Sequence, residues 1–264
     1  MSALTAPARD LLPAATAEAG VWLLAESQVE PLAAAAPPEE VLSGGERERV
    51  ARLRGPGARR RGLGARLLSR LLLGRYAGVR PSSLKFATRW HGRPELSPNP
   101  WSLRFNLSHT EGWIACVVTS EAPCGVDVQR PVDEDVLHHL AMAVSEPEAA
   151  RLSVLHSGPR ARALVDTWTV KEAYTKALGV GLRYGFEHLT VDGLPDGPVT
   201  NGPVTLHDAR ARHTGDRPWR FHLQHLPTGH SLAVAVRRPG PAPYPIVVRH
   251  FMDSPDISLE GVAL

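Results

Sequence analysis

Two periodicities organise the apolar positions of the chain. Spacing by three and four marks helices: Leu63, Leu67, Leu68, Leu71 and Leu72 share one face over residues 59–76, with a shorter helix expected over 46–54. Ser145-Glu146-Pro147-Glu148 joins an N-cap, a tolerated early proline and acidic first-turn side chains, and so starts a helix reaching about residue 155. A longer helix is expected from about 159 to 178, stopped by Gly179 and Gly181. Strand-like runs cover residues 21–24, 84–89, 103–107, 113–119, 125–129, 188–192, 204–208, 219–226 and 232–236, the last two closing as a hairpin around Pro227-Thr228-Gly229.

Helices followed by an antiparallel hairpin, twice, predict an α+β fold of two similar halves, with a boundary near Pro123. The expected division is a peripheral segment over 1–19, an N-terminal α+β half over 20–123, a C-terminal α+β half over 124–238 and a tail over 239–264. Pro239-Gly240-Pro241-Ala242-Pro243 excludes a helix or central strand where the tail begins. Of the 264 residues 43% are hydrophobic and the net charge is only +3, so the chain can bury a core and is not globally disordered. No run approaches the ~20 apolar residues of a membrane span, and a start carrying Asp10 and Glu18 is unlike a secretory signal. The expectation is a cytoplasmic protein without a membrane association. Cys116 and Cys124 read as two small buried side chains.

Chemistry enters with a few clusters. In Gly125-Val126-Asp127-Val128-Gln129 the alternation of a strand puts Asp127 and Gln129 on one face, as metal ligands or as an ordinary polar face. On the long helix Trp168, Glu172 and Lys176 stack at i, i+4 steps with Lys171 alongside, either a solvated pair or the rim of a cleft. Only three of the 30 basic residues are lysines, and two of them, Lys171 and Lys176, belong to this motif. Phe105-Asn106-Leu107-Ser108-His109-Thr110 runs from a strand into a polar turn, and His91-Gly92-Arg93-Pro94 carries a cation in another turn. Seven arginines (47, 49, 52, 54, 59, 60 and 61) form a solvated face, a phosphate clamp or a nucleic-acid patch. Taken singly, each cluster has a plain structural explanation.

Their order is more specific. Gly-Arg-Pro (92–94), Phe-Asn-Leu-Ser-His-Thr (105–110), Gly-Val-Asp-Val-Gln (125–129) and Trp-Thr-Val-Lys-Glu-Ala-Tyr-Thr-Lys-Ala-Leu-Gly (168–179) together resemble the signatures of the 4'-phosphopantetheinyl transferases of the Sfp type. The resemblance spans about residues 42–236. It implies a pseudo-twofold monomer with coenzyme A and Mg2+ in the cleft between the halves. It further implies transfer of the phosphopantetheine arm to a serine of an apo acyl or peptidyl carrier protein, releasing adenosine 3',5'-bisphosphate. On that basis Asp127 and Glu172 are the metal carboxylates, Glu172 is the base and Lys176 stabilises the leaving phosphate. Lys171 adds positive potential, Ser108 and His109 contact phosphates, and Arg93 lies near the nucleotide. Arg61, with Arg49 or Arg47, grips the 3'-phosphate or pyrophosphate. Many members have Glu where this chain has Gln129, and a neutral amide is a poorer Mg2+ ligand, so Gln129 is expected to bind weakly or through water.

Two other readings compete. A Mg2+-dependent phosphotransferase on another nucleotide would keep the metal pair, although the chain has no Walker-type glycine loop. A nucleic-acid-binding protein would use the 47–61 arginines, although no aromatic side chains are interleaved with them for stacking.

Overall fold

The structure, a computed structural model, describes residues 18–88, 92–194, 201–211, 218–237 and 244–254. Arg89, His91, most of the N-terminal segment and the proline-rich run 239–243 lie outside the described residues. In chain order the elements are β1 (Ala19–Ala25), α1 (Val29–Ala35), α2 (Pro38–Val41), α3 (Gly44–Ala51), α4 (Pro56–Ala77), β2 (Phe86–Thr88), β3 (Pro94–Leu96), β4 (Leu103–Thr110), β5 (Trp113–Ser120) and β6 (Cys124–Gln129). There follow α5 (Glu134–Ala141), α6 (Glu146–Ser153), α7 (Ser157–Leu178), β7 (Leu189–Asp192), β8 (Asn201–Asp208), β9 (Trp219–His225), β10 (Ser231–Arg237) and β11 (Ile246–His250).

Local signals account for the helix ends. Ser43 with Glu46, and Ser145 with Glu148, form capping boxes that satisfy the first amides of α3 and α6. The two 22-residue helices, α4 and α7, both stop at a left-handed glycine, Gly78 and Gly179.

Two larger sheets have the strand orders β11-β1-β5-β4 and β6-β10-β9-β8-β7. Within them β1-β5-β4 and β6-β10-β9 repeat one antiparallel arrangement, each covered by one long helix. The fold is therefore α+β with two similar halves in a pseudo-twofold relation. Three apolar layers hold it together. Leu67, Leu68, Leu71 and Leu72 of α4 pack on Leu24, Phe105, Ile114 and Cys116. Val21, Leu23, Ala115 and Val117 meet Val126, Val128, Leu232 and Val234 between the sheets. Val170, Ala173, Tyr174 and Ala177 of α7 cover Phe221, Leu223, Ala233 and Ala235. Cys116 and Cys124 are both free and buried. The chain's last described stretch returns to the first sheet, where β11 pairs in parallel with β1.

The approach of α7 to β6 is close enough to dictate a residue. A Cβ on Gly125 would lie 2.0 Å from the Ala173 carbonyl oxygen and 2.6 Å from the Ala177 nitrogen, and neither backbone atom can rotate away. We predict that Gly125→Ala destabilises the protein by about 2 kcal/mol or more in chemical denaturation. Gly158→Ala, where the added methyl meets nothing within 4 Å, is the control and leaves the midpoint in place or raises it slightly.

Candidate active site

β4 and β6 are edge strands of different sheets, and they run beside one another without a shared ladder. The amides on the open side of β6 need acceptors, and side chains of β4 supply them. Val126 N–H donates to Asn106 Oδ1 (3.0 Å) and Val128 N–H to Ser108 Oγ (3.3 Å). Ser108 Oγ in turn donates to Asp127 Oδ1 at 2.7 Å. From the last turn of α7, Lys176 Nζ reaches Asp127 Oδ1 at 2.5 Å and Ser108 Oγ at 3.1 Å. Gln129 Nε2 donates to the other carboxylate oxygen of Asp127 at 3.0 Å. Asp127, only 1% exposed, thus has both oxygens engaged at a seam built from both halves.

Glu172 is treated differently. It lies one turn before Lys176 on α7 and is 9% exposed, yet its carboxylate accepts no hydrogen bond from any described residue. Burial pushes its pKa from the ordinary 4.5 up to about 7; the neighbouring Asp127 charge pushes the same way and Lys176 opposes both. Two adjacent carboxylates beside one ammonium, one of them without a donor among the described residues, form a site that favours an added cation. Among the described residues no cluster of three or more His, Cys, Asp or Glu side chains is placed to hold a metal. An ion between Asp127 and Glu172 would take its remaining ligands from substrate and water, which is how Mg2+ is usually bound. The donor set fits that ion.

The remaining expected residues divide. His109, on the opposite face of β4 from Ser108, has its pKa lowered by loss of solvent and by the positive charges of Arg61, Lys176 and Arg66. Arg49 acts on Arg66 in the same sense. Arg61 is held at 3.1 Å by Glu26, whose carboxylate also accepts the Gly112 amide at 2.9 Å. Arg49, Arg61, Arg66 and Lys176 therefore form a positive strip beside the His109 ring.

Four of the expected residues have protein partners of their own. Lys171 does not face the cleft: it is fully buried, and its ammonium bonds Glu148 (2.5 Å) and the carbonyls of Ala143 and Phe186. Arg47 Nη1 donates to the Leu42 carbonyl (2.7 Å). The Ser108 hydroxyl is spent on Asp127, leaving no hydrogen for a phosphate. Arg93 gives its guanidinium to main-chain carbonyls of Phe105, Cys124, Lys176 and Ala177. Much of the arginine cluster is also used internally: Arg52 pairs with Glu48, Arg59 bonds the Leu53 carbonyl, and Arg60 faces Glu26 and Glu30.

Residues 123–236, which carry Asp127, Glu172 and Lys176, match the 4'-phosphopantetheinyl transferase superfamily. The 4'-phosphopantetheinyl transferase psf-1 of Bacillus pumilus is 30% identical over 190 residues, covering 70% of this chain and 74% of that protein. HetI of Nostoc is 35% identical over 162 residues (60% and 65%), and a phosphopantetheinyl transferase of Thraustochytrium is 28% identical over 206 (72% and 68%). The chain belongs to the 4'-phosphopantetheinyl transferases. Among solved structures, a holo-(acyl-carrier-protein) synthase from Bacillus anthracis covers 45% of this chain at 16% identity with a TM-score of 0.36, too distant a likeness to transfer residue positions.

Within this 4'-phosphopantetheinyl transferase, the motifs did not reveal Arg66, whose charge acts on His109, or Glu26, which holds Arg61. Arg66 interrupts the leucine face of α4, which is a signal, but Arg70 interrupts it too and is a buried partner of Glu46 (2.8 Å). The raised pKa of Glu172 fixes a pH dependence. The unfolded chain ionises near 4.5 and the folded one near 7, so the stability of the metal-free enzyme falls as pH rises through that window. Glu172→Gln removes the penalty. Chelator-treated wild type and variant should melt together near pH 4.5, and the variant should melt higher above about pH 7; a constant gap across the range would contradict the assignment.

Proposed function

We propose that this enzyme moves the 4'-phosphopantetheine arm of coenzyme A onto a serine hydroxyl of an apo acyl or peptidyl carrier protein. Mg2+ is the cofactor and adenosine 3',5'-bisphosphate is released. The observation that carries this reading is the Glu172 carboxylate, buried beside Asp127 and one turn from Lys176 without a hydrogen-bond donor among the described residues, in a chain of this family. Mg2+ would be held by Asp127 and Glu172 and would supply neutralisation of the pyrophosphate charge as the anhydride bond breaks.

The chain's own groups have the following parts. Glu172 is placed to accept the serine proton, directly or through an intervening water, as the serine oxygen bonds to phosphorus. The bond from that phosphorus to the adenosine 5'-phosphate oxygen breaks, and Lys176 donates a hydrogen bond to the oxygen that leaves. An ammonium suits this role because it can also give up its proton, which a guanidinium cannot. Arg61, Arg66, Arg49 and His109 receive the coenzyme A phosphates along the positive strip. Gln129 stands at the margin, its amide turned to Asp127.

We assign the enzyme to the cytoplasm as a monomer; no described helix is long and apolar enough to cross a membrane. The test is intact-protein mass spectrometry of an apo carrier protein incubated with coenzyme A, Mg2+ and the enzyme. One phosphopantetheine is added per carrier by the wild type and none by Glu172→Ala. A panel of carriers left unmodified by folded wild-type enzyme would refute the reading.

A further inference from the structure

We infer that Arg93 is a positioning residue for this reaction, a clamp on the three elements that carry Ser108, Asp127 and Lys176, and not a contact to coenzyme A. The inference rests on the function proposed above. Arg93 follows the turn residue Gly92 (φ 81°) and precedes β3. Its Nη1 donates to the carbonyls of Lys176 and Ala177 in the last turn of α7. Its Nη2 donates to the carbonyls of Phe105 on β4 (3.0 Å) and Cys124 on β6 (3.2 Å).

The donor count leaves little for a ligand. A guanidinium has four Nη hydrogens and one on Nε. Carbonyl oxygens of Lys176, Phe105 and Cys124 take three of the four, the Ala177 carbonyl lies 3.5 Å from Nη1, and Nε is enclosed, without a partner among the described residues. The acceptors also have a pattern. Phe105 lies three residues before Ser108 on β4, and Cys124 lies three residues before Asp127 on β6. The clamp therefore grips the same seam roughly 10 Å away, at about 3.3 Å per residue. Its third grip is on the carbonyl of Lys176, whose ammonium closes the seam at the other end. A cation also suits the carbonyl end of α7. Only a planar fork holds so many acceptors at once, since the ammonium of lysine has three donors.

The test compares wild type with Arg93→Lys and Arg93→Met, each assayed well below its own melting temperature with coenzyme A varied at fixed carrier protein. Loss of positioning lowers kcat by about 10- to 100-fold in the Met variant. KM for coenzyme A should stay within about threefold, with the Lys variant intermediate in kcat. A rise of tenfold or more in KM with kcat retained would make Arg93 a coenzyme A contact and overturn the inference, as would unchanged kinetics. Hydrogen exchange gives a reading independent of activity. The Val126 and Val128 amides, which β4 side chains hold, should exchange at least tenfold faster in the Met variant, while Val117 in β5 keeps its protection. Equal exchange at Val126 and Val128 would overturn the clamp even if the wild type proved to have another activity. Should the Met variant not fold, the Lys variant carries both measurements.

Discussion

Ser108 Oγ meets three partners at once, accepting from the Val128 amide and the Lys176 ammonium and donating to Asp127. Through that one hydroxyl the edges of two sheets are joined where no backbone ladder joins them. An exposed strand edge would invite pairing with another chain. Here the two edges cover one another, and the polar side chains that satisfy them are the ones that define the site. The arrangement therefore depends on the register between halves: Asp127 comes from one sheet, Ser108 from the other, and Lys176 and Glu172 from the helix laid against β6. Gly125 permits that helix to come close, because any side chain there would strike the backbone of α7.

The electrostatics of the seam follow from an unequal division. Lys176 bonds Asp127, not the Glu172 one turn before it, so one carboxylate is neutralised and the other is left desolvated. An unpaired buried charge is costly, and the protein responds by raising the pKa of Glu172 toward neutrality. The same feature gives the group a use. A cation placed beside it finds two carboxylates already gathered and relieves the penalty of the buried charge.

Much of this was legible in the sequence, and the parts that were not share a cause. Periodicity located α4, the Ser145 cap located α6, Gly179 marked the end of α7, and the motif order brought Asp127, Glu172 and Lys176 together. Residue types did not reveal partners. Lys171 and Lys176, five positions apart in one motif, differ by which way a helix turns: one closes a buried pair with Glu148, the other reaches across the seam. Arg93 and Arg61 both looked like phosphate ligands, but only the fold places four carbonyls around the first and a single carboxylate against the second. Short elements such as β3 and β11 carry too few residues for a period, and β11 pairs with a strand more than two hundred residues earlier.

The claim on which the account rests is that Asp127 and Glu172, drawn from a strand and a helix, share one divalent cation. A crystal of the enzyme with coenzyme A and Mn2+ in place of Mg2+, read by anomalous scattering, tests it most directly. The account predicts a single peak in contact with both carboxylates, with the Lys176 ammonium moved from Asp127 toward a phosphate oxygen. A peak that touches neither Asp127 nor Glu172, or only one of them while Lys176 remains on Asp127, would contradict it.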